Sequence, residues 1–130
     1  MMDCMNPLTE PMKNCDTRDV CGVHVDVQKT GNVRMKRMIY PVGFHWKDQL
    51  SEKIGSEYCM HAHVGFMAQG QINVEFKDGC VEEYRAPKFV AVEPGHKGWV
   101  VGDEPAVLIE VDFEGDTVNR VALPVTHNHR

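Results

Sequence analysis

The 130-residue chain is 42% apolar and 25% charged, with a net charge of −5, the balance of a single water-soluble domain long enough to bury a core. That acidic balance opposes a nucleic-acid role, which needs a basic face to displace counterions. Apolar runs such as Ala106-Val-Leu-Ile109 fall far short of bilayer length, so no membrane partner is expected.

Residues 1–20 hold Pro7, Pro11 and scattered charges without periodicity and are read as an extended N-terminal arm. No basic stretch leads into an apolar core there, which opposes a signal peptide. The five cysteines (Cys4, Cys15, Cys21, Cys59, Cys80) are odd in number and unevenly spaced. They read as reduced thiols of a cytoplasmic protein.

Residues 21–123 read as one β domain, followed by a flexible tail over 124–130. Val23, Val25 and Val27 alternate with polar residues, and Thr30-Gly-Asn-Val33 turns the chain into Val33, Met35, Arg37 and Ile39. Residues 42–55 break the alternation and are expected to form a loop with a helical turn. Strand patterning returns near Glu57 and continues through Ile72, Val74 and Phe76 to a hairpin turn at Asp78-Gly79. Cys80–Tyr84, Phe89–Val92 and Trp99–Val101 follow as short strands divided by proline and glycine turns. Val107, Ile109, Val111 and Phe113 form the last clear amphipathic strand, with a weaker one over Val118–Leu123. Short strands with hardly any helical periodicity predict an all-β sandwich or barrel.

The stretch Glu57-Tyr-Cys-Met-His-Ala-His63 carries the chemistry. In one continuous strand Glu57, Cys59, His61 and His63 share a face, with neighbours on it about 6.5–7 Å apart, a separation from which imidazoles converge on one ion. His96, after the Pro94-Gly95 turn, supplies a third nitrogen, and the expected ligands are His61, His63 and His96. His45, Trp46, Glu57, Cys59, Met67 and Trp99 are weaker candidates for the pocket wall. A histidine set with a carboxylate and an open position suits iron, manganese, nickel or zinc, and inclusion of Cys59 shifts the set towards zinc, iron or copper. The opposite reading leaves His61 in solvent, because Tyr58, Met60, Ala62, Val64 and Phe66 make the other face of that strand apolar. His127 and His129 read as part of a mobile tail.

Val92-Glu-Pro-Gly-His-Lys-Gly-Trp-Val-Val-Gly-Asp-Glu-Pro-Ala-Val-Leu-Ile109 resembles the second motif of the cupin superfamily, in a group of small single-domain members with a Pro-Gly-His-x-x-Trp-Val-Val-Gly-Asp-Glu-Pro signature. Gly43-Phe-His-Trp46, Gly55, Cys59 and His63-Val-Gly-Phe-Met-Ala-Gln-Gly70 are similar to its upstream elements. The resemblance implies a jelly-roll β-barrel with a central pocket, often dimeric, and does not choose among the superfamily's functions. Counted forward from Gly55, the first motif's histidine pair falls on His61 and His63. Counted back from Gly70, the pair falls on Glu57 and Cys59 and the glutamate slot on His63, the register preferred here. The second-motif histidine falls on Gly98, two residues beyond His96.

These residues lead us to expect a small cupin barrel that binds a small molecule beside a divalent transition metal, with possible metal-dependent oxygenase-like activity. The alternative is a metal-free ligand-binding or regulatory cupin. A homodimer is expected, because a small barrel leaves strand edges and apolar outer surface to cover.

Overall fold

The computed structural model describes residues 6–46 and 55–125. Two antiparallel sheets face one another. The larger has the order β1-β2-β3-β9-β4-β7 and the smaller β6-β5-β8. The strands are β1 Asp16–Val20, β2 Val23–Thr30, β3 Val33–Tyr40, β4 His63–Gln69, β5 Gln71–Phe76, β6 Val81–Arg85, β7 Lys88–Val92, β8 His96–Val101 and β9 Ala106–Asp112. Crossovers between non-consecutive strands close the sheets over a shared interior, the jelly-roll arrangement expected from the sequence.

Which residues face that interior follows from register. Arg18 stands opposite Val25, Val25 opposite Met38, Met38 opposite Leu108, and Leu108 opposite Met67. Directly paired residues point to the same side, so this row, and the rows two residues to either side, line the inside. Strand β9 therefore presents Ala106, Leu108, Glu110 and Asp112 inward. Val107, Ile109 and Val111, the run that made β9 amphipathic on paper, lie on the outer face.

Three expectations change. Residues 16–20, assigned to the arm, form β1, because Cys21 and Gly22 both adopt positive φ (50° and 90°) and turn the chain tightly into β2. The strand expected from Glu57 starts instead at His63. The preceding segment touches the small sheet at one bridge, Cys59 to His96, held by Cys59 N–H to His96 O at 2.6 Å and His96 N–H to Cys59 O at 3.2 Å. The weak strand over 118–123 is replaced by a four-residue helix, α1 Thr117–Arg120. There the Asp116 carboxylate accepts from Asn119 and Arg120, each at 3.0 Å, favouring a helical turn. The helical turn expected in 42–55 falls mostly on residues 47–54, and His127 and His129 on the tail, which lie outside the described residues.

Residues 6–12 pack over the outer face of β1–β3. Arg37, 3% exposed, donates from Nε to Asp26 at 2.8 Å and to the carbonyls of Leu8 and Glu10 at 3.1 and 2.7 Å. Asp26 also accepts from Thr17 of β1 at 2.7 Å. One buried guanidinium thus ties the arm, the edge strand and the sheet together. Gly65 is a packing requirement of another kind, since a Cβ built on it would overlap the Ile109 carbonyl of the neighbouring strand.

Candidate metal centre

The sheets enclose a cavity of about 410 Å³, within the range of small-molecule sites. Val23, Val25, Met38, Met67, Val92 and Leu108 form much of its wall. At one side three donor-bearing side chains converge. Cys59, His63 and His96 each place a ligand atom within 4.8 Å of the other two. Cys59 Sγ is 3.6 Å from His63 Nε2, and the two imidazole rings stand edge to face at 5.0 Å.

Each histidine is oriented by its other nitrogen. His63 Nδ1 faces both oxygens of Glu110, at 3.3 and 3.2 Å, and His96 Nδ1 donates to the Glu93 carbonyl at 2.7 Å. His63 Nε2 is left to face Cys59, and His96 keeps Nε2 unused by its bond to Glu93. A carboxylate or backbone carbonyl on the distal nitrogen is the arrangement that fixes the tautomer of a metal-ligating histidine. The fit can be tested by size. Donors around a tetrahedral zinc stand about 3.4–3.8 Å apart, from bond lengths of about 2.1–2.3 Å. The Cys59–His63 pair already meets this separation, and the third donor needs to close by roughly 1 Å.

Electrostatics agree with the geometry. Burial opposes the charged form of Cys59, yet hydrogen bonds from His63 and His96 hold its thiol well below the ordinary value. Burial likewise pulls the His63 imidazolium down, but the Glu110 carboxylate and Cys59 outweigh it and raise His63 to about 10. Glu110 is 1% exposed. Its burial favours the neutral acid, while His63 and Lys36 hold it below the usual carboxylate range. The contacts that lower the Cys59 thiol favour the thiolate, the form that binds a cation.

Of the residues expected at a metal, the structure brings His63 and His96 together and leaves His61 apart. His61 is exposed on the cavity rim, because 57–63 is not one continuous strand and the shared face does not form. Cys59, ranked only as wall, takes its place. Trp46 and Met67 line the cavity. Glu57 does not: its side chain is 73% exposed, 4.0 Å from Lys97. His45 and Trp99 stack on each other at 5.5 Å outside the cavity, since β8 turns His96, Gly98 and Val100 inward and Lys97 and Trp99 outward. Glu110 was missed by sequence reading altogether.

The fold has known counterparts. A Cupin 2 conserved barrel domain protein from Salinispora arenicola superposes with a TM-score of 0.55 at 16% identity, over 92% of this chain and 98% of that one. An RmlC-like cupin from Shewanella frigidimarina gives 0.52 at 15%, over 78% and 86%. KdgF from a Halomonas species gives 0.52 at 16%, over 74% and 83%. No family model matches the sequence, and no curated protein matches it significantly. The likenesses show the fold: a cupin jelly-roll barrel.

Proposed function

We propose that this cupin barrel holds a divalent transition metal on Cys59, His63 and His96 and binds a small molecule in the cavity beside it. The observation that carries the reading is the convergence of one thiol and two histidine nitrogens at the cavity wall, with each ring held through Nδ1. The sulfur makes this donor set softer than the histidine and carboxylate set expected from the sequence. It favours zinc or ferrous iron over manganese. Three protein ligands leave coordination positions open towards the cavity, where zinc would supply Lewis acidity and iron the oxygen chemistry of an oxygenase. The protein's own residues would orient the ligands through Glu110 and Glu93 and exclude water with the apolar wall.

Elemental analysis of untagged protein tests this. The parent is expected to carry close to one equivalent of zinc or iron, and Cys59→Ala and His63→Ala less than about a tenth of that. Equal metal in parent and variants would sink the site. A second reading rests on a specific alignment: Cys59 Sγ, His63 Nε2 and Glu110 stand in series, as do a nucleophile, its base and the base's orienting carboxylate. Under it, metal-free protein would be alkylated by iodoacetamide at Cys59 near neutral pH, and added zinc would not protect.

The described cysteines Cys15, Cys21, Cys59 and Cys80 are free thiols, which supports a reducing, cytoplasmic setting. No helix among the described residues is long and apolar enough to cross a membrane. The outer face of the large sheet supports a homodimer. Phe89, 82% exposed, packs edge to face on Phe66 at 5.8 Å, near Val64, Ile109 and Val111. Light scattering at micromolar concentration is expected to report a dimer and Phe89→Lys a monomer, whereas a monomeric parent would refute the pairing.

A further inference from the structure

In a chain of net charge −5, the ionisable side chains on the cavity wall include three cations, Arg18, Arg34 and Lys36, and no carboxylate among the described residues. The acids that balance two of them share the inward rows with those cations and are covered by them. Asp112 accepts from Arg34 at 2.6 and 2.7 Å and from Lys36 at 3.2 Å, and Glu110 lies 3.7 Å from Lys36. Both acids are nearly inaccessible, at 4% and 1% exposure. The third cation is different. Arg18 has no ion pair among the described residues, and β1 places it opposite Val25, on the inward row at the open edge of the large sheet.

We propose that Arg18 is the recognition residue for a small organic oxyanion with an apolar body, bound in this cavity with its charged group against Arg18 and Lys36. The proposal rests on reading the cavity as a ligand site and adds the class of ligand. A guanidinium presents a planar fork that matches an oxyanion bidentately. Lys36 lies two strands away and two residues along, roughly 12 Å between backbones across β2, a gap that two long side chains close over a shared anion. Between this end and the Cys59 side the wall is aliphatic, with Val23, Val25, Met38 and Leu108. Such a wall favours a hydrocarbon body over a polyhydroxylated one. A divalent ion on the single thiolate would add a further positive charge and strengthen the same preference.

Carboxylates and phosphate esters share this chemistry, and one titration separates them. Metal-loaded parent protein is titrated calorimetrically with butyrate, hexanoate, benzoate and phenyl phosphate, each against its uncharged partner (the amides, and phenol). At least one anion is expected to bind about tenfold or more tighter than its partner. Arg18→Ala should erase that preference, and Arg18→Lys should restore part of it. Metal content and denaturant midpoint should not move in either variant, because the side chain is exposed on an edge strand. A preference for phenyl phosphate over benzoate would assign the oxyanion to a phosphate ester. Anions that bind no tighter than their neutral partners, no binding by any probe, or a preference that survives in Arg18→Ala would overturn the assignment. The titration is repeated on Cys59→Ala, where an Arg18-dependent preference is expected to persist. Loss of the metal reading and loss of the anion reading are thus scored apart.

Discussion

Glu110→Gln is expected to weaken zinc binding by about 10- to 100-fold and to destabilise the metal-free barrel by about 3 kcal/mol near neutral pH. The substitution keeps the size of the side chain and an oxygen able to accept from His63 Nδ1. What it removes is the buried negative charge 3.2 Å from His63 and 3.7 Å from Lys36. With metal bound, the imidazole becomes a poorer donor, because a neutral amide raises ligand basicity less than a carboxylate does. Without metal, the imidazolium loses the attraction that most offsets its burial.

The pH dependence gives the effect a signature. His63 is raised from an ordinary value near 6.5 to about 10. Its favourable interaction is therefore whole below pH 6.5 and lost as pH rises through about 10. Glu110 is shifted the other way: its contribution is present above the ordinary carboxylate value and lost as pH falls through the depressed one. The stability gap between parent and Glu110→Gln should be widest around pH 6 and narrow progressively towards pH 10. Urea denaturation of metal-free protein at pH 6, 8 and 10, with zinc affinity measured by chelator competition, checks both halves. A variant matching the parent in zinc affinity and in midpoint at pH 6 would remove Glu110 from the site.

That residue also shows where the sequence stops being readable. The barrel itself is legible: alternation through Ile72, Val74 and Phe76, the Asp78-Gly79 turn and the proline breaks all fall where strands and turns occur. The side facing inward on β9 is not legible, because the usual inference sends the apolar set to the core. Here Val107, Ile109 and Val111 lie outside, and the interior takes Glu110 and Asp112, neutralised by cations from the paired strand. The clue available beforehand was the complementary spacing of Arg34-x-Lys36 and Glu110-x-Asp112, opposite charges two residues apart on strands that pair in reverse direction. His63 and His96 were readable from spacing. Cys59 does not stand out in the sequence because a cysteine is so often a small buried hydrophobe, and His61 joins the set only on an unbroken strand.

Arg37 extends the same argument to the outer face. Arg37→Met should cost about 3 kcal/mol, the low end for stranding a buried partner. Asp26 is 1% exposed, but it keeps Thr17 at 2.7 Å and His24 at 3.0 Å as partners, which holds the cost at that low end. Two consequences separate on adding Asp26→Leu. Replacing both members of a buried pair with apolar side chains removes the uncompensated charge, and much of the lost stability should return. The arm should stay released in both variants, because the carbonyls of Leu8 and Glu10 have lost their donor whichever residue faces position 37. Trypsin cleavage after Lys13 reads that release directly, and faster cutting is expected in the single and the double variant alike. Thr17 donates to Asp26 one residue before Arg18, so the double variant also removes one side-chain tie from the edge strand that carries the proposed anion contact, while its backbone pairing to β2 stays. A double variant that regains stability, resists trypsin like the parent and binds anions unchanged would show that neither Arg37 nor Asp26 holds the arm or β1.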